Sequence, residues 1–345
     1  GRETRTWVLF EHREFALNER LVSCLFVSVL VCSCGGESGK SKRKDATPND
    51  PAAPATVASC VTDLATFVGD KYPTLDAMTV MKGGLLYDKW WEPLPTGSGP
   101  GEVGDLAIGA PATDHPLWET RSVPDANTRT GEATWRCKEC HGWDYLGAEG
   151  AYGEGSDHFT GFGGVVEAQA KSELDVFCAI RNLENHAFGA TDEASGQPIL
   201  SDDEILLLTK FVKEGVVDTH LFIDPDTNTP IKVDATTGDH LPGDPVAGEA
   251  FYQTPGNCGQ CHGADGASNA EDGGLGALAL DDPWEVLHKI RMGSAGSNPT
   301  MRSASELGLS DEGIADVMAY LQQKLSPAGA AVAAACVGSA RGATG

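Results

Sequence analysis

The feature that most constrains this chain is a five-residue pattern, Cys-x-x-Cys-His, which occurs at residues 137–141 and again at 258–262. Loops follow each copy, and a Leu-Ser-Asp opening then leads into an amphipathic segment, from Leu200 in the first case and Leu309 in the second. Serine followed by acidic residues is typical of a helix N-terminus. The chain therefore repeats one plan twice, which indicates duplicated domains, since a solenoid needs at least about three repeats.

The spacing within each pattern suits the covalent attachment of a c-type haem. Two thiols separated by two residues reach one edge of a porphyrin, and the following imidazole lies under the ring and coordinates the iron. A zinc site would bring its cysteine pairs within ~15–20 residues of each other, and a thioredoxin-like dithiol would not need the histidine. We therefore expect two haem c groups, with thioether bonds at Cys137, Cys140, Cys258 and Cys261 and iron ligation by His141 and His262.

A short helical pattern precedes each motif. Gly248-Glu249-Ala250-Phe251-Tyr252 stands directly before the second motif, whereas Gly84-Leu85-Leu86-Tyr87 stands well ahead of the first, so the first unit carries an insertion at residues 92–133. After the motifs, Ser201 and Ser310 are expected to be N-caps of a closing helix. The apolar faces of the two closing helices consist of Ile205, Leu208, Phe211 and Val212 in the first unit and Ile314, Val317, Met318 and Leu321 in the second.

These motifs and helices, from about residue 80 to 325, resemble the class I cytochrome c fold, in which the first helix crosses the last. The resemblance implies an all-α protein with two tandem cytochrome c-like domains, 58–222 and 240–325, with long loops and an insertion in the first. In that fold a glycine and an aromatic residue of the first helix pack against the last helix. The implied contacts are Gly84 and Tyr87 with Phe211 and Val212, and Gly248 and Phe251 with Tyr320 and Leu321.

The sixth iron ligand of the second unit is expected to be Met301. The segment Pro299-Thr300-Met301 resembles the ligand loop of class I cytochromes, in which the axial methionine follows a proline-containing stretch well after the haem histidine. Met292 stands where that family has a packing residue, and we interpret it as part of the core.

The region around the first motif has no methionine from residue 82 to residue 291. Alignment of Ile180-Arg181 with Ile290-Arg291 places His186 in the ligand loop, and bis-histidine ligation is the favoured interpretation. Cys178 is the rival, because a cysteine shortly before an arginine is similar to the thiolate ligand of thiosulfate dehydrogenases. Cys178 could also be merely buried, and His158 is a weaker candidate ligand.

The charge balance restricts the partners of this chain. Asp and Glu number 50 against 25 Lys and Arg, a formal net charge of -25. Such a surface repels nucleic acid and attracts basic proteins, so we expect redox partners with basic docking surfaces. The predicted function is electron transfer from a low-potential first haem to a higher-potential second haem. A haem enzyme that oxidises a small sulfur compound and a tethered cytochrome subunit of a larger respiratory complex are the alternatives.

The N-terminal region is predicted to direct export. The apolar run from Leu21 to Cys32 is too short to span a bilayer but suits a signal-peptide core, and it ends in a sequence that resembles a lipobox. We therefore expect a lipoprotein leader at 1–34, of which 1–16 is not necessarily translated, and a flexible linker at 35–57. Residues 326–345 are expected to be a disordered tail. Cys60 and Cys336 either form a disulfide or stay unpaired.

Overall fold

A computed structural model of the chain describes residue 60 and residues 77–95, 109, 111–182, 186–192, 196, 198–234, 236–270 and 273–326. All of these residues belong to one unit, Pro54–Gly345. The predicted leader, the linker, Cys336 and all of the predicted tail except Ser326 lie outside the described residues.

The part of the chain around the first motif is helical. Helix α1 lies far ahead of the motif helix α2, and α3 and α4 follow it. The α-helices are α1 (Ala77–Lys89), α2 (Cys137–His141), α3 (Glu173–Arg181) and α4 (Asp202–Lys210), which continues as a π-helical turn, Phe211–Gly215. Short 3-10 turns are Pro116–Thr120, Gly131–Trp135, Val166–Ala170 and Thr219–Leu221.

The part around the second motif repeats this order after a short hairpin. The elements are β1 (Ile231–Val233), β2 (His240–Pro242), α5 (Pro245–Tyr252), α6 (Cys258–His262), α7 (Gly274–Asp281), α8 (Pro283–Met292), α9 (Ala304–Leu307) and α10 (Asp311–Tyr320), which a π-helical turn extends over Leu321–Leu325. The helix-rich architecture confirms the predicted all-α class in its coarse form. The antiparallel pairing of β1 with β2 was not predicted, because strands of three residues are too short to show a period-2 pattern.

The predicted N-caps of the closing helices are confirmed. The Ser201 hydroxyl accepts a hydrogen bond from the Glu204 N–H at 3.3 Å, and the Glu204 carboxylate accepts one from the Ser201 N–H at 2.6 Å. The Ser310 hydroxyl accepts a hydrogen bond from the Gly313 N–H at 3.2 Å. Each cap satisfies an N–H group that the helix itself cannot pair, which is worth about 1 kcal/mol.

Glycine permits the close crossing of first and last helices in both halves. A side chain at Gly83 of α1 would collide with the Leu207 carbonyl oxygen of α4, and one at Gly248 of α5 would collide with the Asp316 carbonyl oxygen of α10. The prediction that Gly84 makes the first crossing was wrong. The predicted Tyr87–Phe211 contact is confirmed, with ring centroids 5.3 Å apart.

In the second half, the predicted role of Gly248 is confirmed but its neighbours differ. The atoms nearest to a side chain added at Gly248 belong to Asp316 and Val317. Phe251 packs against the cluster that contains Tyr320 and Leu321, and the buried Tyr252 adds a ring contact with Tyr320, with centroids 5.2 Å apart.

Alanine at Gly83 is expected to destabilise the protein by about 1–3 kcal/mol, because the added methyl group forces the crossing helices apart. Chemical denaturation monitored by far-UV circular dichroism measures this difference. Gly109→Ala is the matched control, since nothing lies within 4 Å of a side chain added there. Equal unfolding midpoints for the two variants would contradict the assigned crossing.

The core consists of two hydrophobic clusters, and α8 contributes to both. Leu287 and Ile290 belong to the second cluster, whereas Met292 belongs to the first and packs against Gly84. The interpretation of Met292 as a core residue is confirmed, since only 4% of it is exposed. Within the described residues, no helix is both long enough and apolar enough to cross a bilayer.

His288 of α8 forms hydrogen bonds with two residues of the first half of the protein. Its Nε2–H donates a hydrogen bond to the Gly84 carbonyl at 3.1 Å. Its Nδ1 therefore accepts a hydrogen bond from the Tyr145 hydroxyl at 2.8 Å. Nearby, the Arg291 guanidinium donates to the Gly215 carbonyl at 2.8 Å. Neutral His288 therefore has both ring nitrogens satisfied in a buried interface.

The contribution of His288 to the stability of the matured protein is expected to decrease as the pH falls from about 6.5 toward 4. Burial lowers the pKa of His288 from 6.5 to about 4, with Asp88 opposing and Arg291 and Lys289 reinforcing the shift. Between pH 6.5 and 4 the histidine is protonated in the unfolded chain but not in the folded protein. This difference lowers the free energy of unfolding by up to about 3 kcal/mol. Urea unfolding at several pH values measures the slope, which His288→Gln should reduce and the exposed-site control His220→Gln should not.

Candidate haem sites

Each Cys-x-x-Cys-His motif forms a single helical turn that ends at a glycine. Helix α2 ends at Gly142, with φ 74° and ψ 160°, and α6 ends at Gly263, with φ 75° and ψ 163°. Side-chain-bearing residues rarely adopt this conformation, so glycine is the residue that suits it. The two predicted haem ligands, His141 and His262, are therefore presented by the same backbone geometry.

A tyrosine of the first helix holds each motif in place. The Tyr87 hydroxyl donates to the Gly142 carbonyl at 2.7 Å, and the Tyr252 hydroxyl donates to the Gly263 carbonyl at 2.9 Å. The sequence interpretation assigned Tyr87 only to helix packing and did not single out Tyr252. The signal was present, because both tyrosines stand four residues after the glycine of the helix crossing.

The turn after each motif repeats as well. The carbonyl of His141 accepts the Gly147 N–H at 2.9 Å, and the carbonyl of His262 accepts the Ser268 N–H at 3.0 Å. Three residues after each histidine, an aspartate caps the turn, with Asp144 accepting the Leu146 N–H at 3.1 Å and Asp265 accepting the Ala267 N–H at 3.2 Å. The two motifs thus share a local structure well beyond their five residues.

His141 and His186 come together at a separation that fits an iron ion between them. Their ring centroids are 5.8 Å apart and the rings are inclined by 40°. With metal–nitrogen bonds of about 2.0 Å, two imidazoles on opposite sides of one metal place their centroids about 6 Å apart. The structure therefore brings together the two residues that the sequence placed far apart as first-unit ligands.

The Nδ1 hydrogen bonds of both rings identify Nε2 as the nitrogen that can bind a metal. The Nδ1–H of His141 donates to the Gly163 carbonyl at 2.6 Å, and that of His186 donates to the Ala179 carbonyl at 2.9 Å. Metal-bound histidines typically donate the other ring N–H in this way, which fixes the tautomer. Burial lowers the pKa of both rings, that of His141 to about 4, so both are in the neutral form that binds metals.

The cysteines of the first motif are half-buried thiols. Burial raises the pKa of Cys137 to about 12 and that of Cys140 still further above its usual range. A reactive dithiol needs a lowered thiol pKa, because the thiolate is the nucleophile. The environment of this pair is therefore unlike that of a redox dithiol.

The second motif lies nearer to the surface. Cys258 is half-buried and Cys261 is exposed, and the Nδ1–H of His262 donates to the Ser268 carbonyl at 3.1 Å. Met301 is half-buried on the loop between α8 and α9, where its N–H donates to the Ser297 hydroxyl at 2.7 Å. His262 therefore carries the same Nδ1 hydrogen bond as the first-unit histidines.

Cys178, the rival ligand of the first haem, forms a disulfide with Cys60 in this structure. The Cα atoms are 5.7 Å apart, within the usual range for such a bond. A sulfur bound to another sulfur is no thiolate ligand, so the proposed Cys178 ligation is wrong here, and so is the Cys60–Cys336 pairing. Sequence patterns did not indicate this partner, because it is 118 residues away.

His158 contacts Glu139 of the first motif helix and belongs to a charge cluster. Its ring stacks on Tyr152 with centroids 4.2 Å apart, and its Nδ1 lies 2.9 Å from the buried carboxylate of Glu139. Burial disfavours the charge on Glu139, but hydrogen bonding to His158 and the charge of Lys138 outweigh it and hold the Glu139 pKa at about 2. The two spacer residues of the motif thus belong to a buried charge cluster that the sequence analysis missed.

One family comparison bears on this geometry. Residues 243–321 match the family described as cytochrome c oxidase, cbb3-type, subunit III. The match spans the second motif and supports a c-type cytochrome domain, which implies haem c binding and electron transfer. No curated protein and no solved structure matches the chain.

Proposed function

We propose that the chain is a dihaem c-type cytochrome that carries electrons. The observation that carries this proposal is the shared local structure of the two motifs, including the tyrosine hydrogen bond and the glycine that ends each motif helix. The second motif lies in the segment that matches a cytochrome family. A first motif with the same backbone geometry and the same spacing of thiols and imidazole suits the same cofactor.

The axial ligands that we propose differ between the two haems. His141 and His186 would hold the first iron, and the 5.8 Å separation of their rings supports this assignment. His262 and Met301 would hold the second. Two imidazoles lower the reduction potential of a haem, whereas a methionine raises it, so electron flow from the first haem to the second would be favourable.

We further propose that the protein works outside the cytoplasm, in the periplasm or at the cell surface, attached to the membrane through a lipid anchor. The lipobox-like sequence before Gly35 supports this location. The net charge of -25 suits docking on redox partners with basic surfaces.

A second candidate function is that of a tethered cytochrome subunit in a larger respiratory complex. It is favoured by the matched family, which is named for a subunit of an oxidase. Mild detergent extraction of the native protein followed by size-exclusion chromatography separates the two candidates. A free carrier elutes near the size of the single chain, whereas a subunit elutes with other proteins in constant stoichiometry.

The third possibility, a sulfur-oxidising haem enzyme, would need either Cys178 as a thiolate ligand of the first haem or a first haem without a sixth ligand. The disulfide between Cys178 and Cys60 removes the first of these two grounds.

The experiment that tests the proposed function is maturation of the full chain in a host that attaches haem c, followed by measurement of its mass under denaturing conditions. The expected mass exceeds that of the processed polypeptide by two haems, and the pyridine haemochrome spectrum gives two haems per chain. A gain of one haem would restrict the proposal to one motif, and a colourless polypeptide of unchanged mass would overturn it.

A further inference from the structure

His115 is a buried residue of the insertion that the sequence analysis left without a role. It immediately precedes the 3-10 turn Pro116–Thr120 and is 6% exposed. Its backbone N–H donates to the Thr134 hydroxyl at 2.8 Å, and its ring lies edge-on to Trp135 with centroids 4.5 Å apart. The Trp135 indole in turn donates to the Thr113 carbonyl at 2.7 Å. The ring of His115 is therefore held in one orientation.

The hydrogen bonds of His115 define its tautomer. The Leu117 N–H donates to Nδ1 at 3.1 Å, so Nδ1 must be the unprotonated acceptor. The proton is then on Nε2, which donates to the backbone carbonyl of His186 at 2.8 Å. Neutral His115 thus points its single N–H at the residue that faces His141.

The backbone at His186 needs such support. Ala187, the next residue, has a φ of 62°, a left-handed conformation that residues with a side chain adopt only when their surroundings hold them there. The peptide group that joins the two residues carries the carbonyl that His115 binds. On the other side, the Ala179 carbonyl accepts the Nδ1–H of His186 and fixes the ring.

We propose that His115 is a positioning residue that holds His186 as the distal ligand of the first haem, so that the insertion serves to keep this site closed. This inference rests on the proposed function, since it requires a first haem between His141 and His186. His115 itself does not touch the haem iron in this arrangement. It acts through the loop, by restricting the movement that would let the distal imidazole leave the metal.

The test is carbon monoxide binding to the fully reduced, matured protein. Carbon monoxide binds a haem iron only where the sixth coordination position is vacant. The apparent affinity of a competing ligand scales with the fraction of protein whose distal histidine is detached. In His115→Phe, which keeps a ring but loses the N–H, the affinity of the first haem for carbon monoxide should rise about tenfold, the effect of one lost hydrogen bond. The spectrum of the second haem should not change.

Two further variants make the result specific. His115→Gln, whose amide N–H can reach the same carbonyl, should restore the low affinity for carbon monoxide. Thr134→Val removes the acceptor of the backbone N–H of His115 and should give a smaller increase in the affinity for carbon monoxide. This variant decides the question if His115→Phe does not mature.

His186→Ala separates failure of this inference from failure of the proposed function. If His186→Ala opens the first haem to carbon monoxide but His115→Phe and Thr134→Val behave as the parent protein, the positioning role is overturned. If His186→Ala has no effect on the first haem, the proposed ligand is wrong and the role of His115 is overturned with it.

Discussion

Replacement of both cysteines of one motif by serine is expected to remove one haem and leave the other. In Cys137→Ser/Cys140→Ser the mass gained on maturation should fall from two haems to one, because serine cannot form the thioether bonds that hold the porphyrin. Cys258→Ser/Cys261→Ser should lose the other haem in the same way. Mass spectrometry under denaturing conditions measures the loss directly.

The matched control lies in the spacer of the second motif. Gln260 is exposed and belongs to neither pair of thiols, so Gln260→Ser should retain both haems. Retention of two haems in either double-cysteine variant would contradict covalent attachment at that motif.

Substitution of His186 by methionine is expected to raise the midpoint potential of the first haem by roughly 0.1–0.3 V, since axial ligands set haem potentials over a range of about 0.8 V. A methionine thioether favours the reduced iron more than a second imidazole does. Redox titration of the matured protein, followed in the haem absorption bands, measures both potentials in one experiment.

The exposed His220 provides the control for this prediction. His220→Met adds the same thioether at an exposed position outside the proposed ligand set, and both potentials should stay at their parent values. An unchanged first potential in His186→Met would remove His186 from the ligand set. If the first haem of the parent protein titrates above the second, the proposed direction of electron flow is reversed.

The helix crossings show how far a sequence comparison can reach. Matching Gly84 and Tyr87 with Gly248 and Phe251 selected Gly84. Counting back four residues from Tyr87 and Tyr252 instead selects Gly83 and Gly248, the residues at the crossings. Both Gly83 and Gly84 are close to another helix, and Gly84 faces Met292 of α8. The tyrosine spacing separates these adjacent glycines in sequence, and the contacts of α1 with α4 and with α8 assign each glycine to its neighbour.

Local chemistry determined those features that depend on neighbours in sequence. The haem motifs, the N-caps at Ser201 and Ser310 and the apolar faces of the closing helices follow from spacing within a few residues. The position of His186 in a ligand loop was predicted by aligning Ile180-Arg181 with Ile290-Arg291, and in the structure each pair lies near the end of a helix.

The tertiary structure alone decided the contacts between residues distant in sequence. These contacts join positions that are 71 to 204 residues apart in the sequence. They are the Cys60–Cys178 disulfide, the hydrogen bond from His115 to the His186 carbonyl, and the hydrogen bonds of His288 with Tyr145 and Gly84. No local pattern encodes these partners, since each depends on the path of the whole chain and on which buried polar groups remain to be satisfied. The sequence by itself thus determined which residues we propose as haem-binding groups, and the fold decided which groups support them.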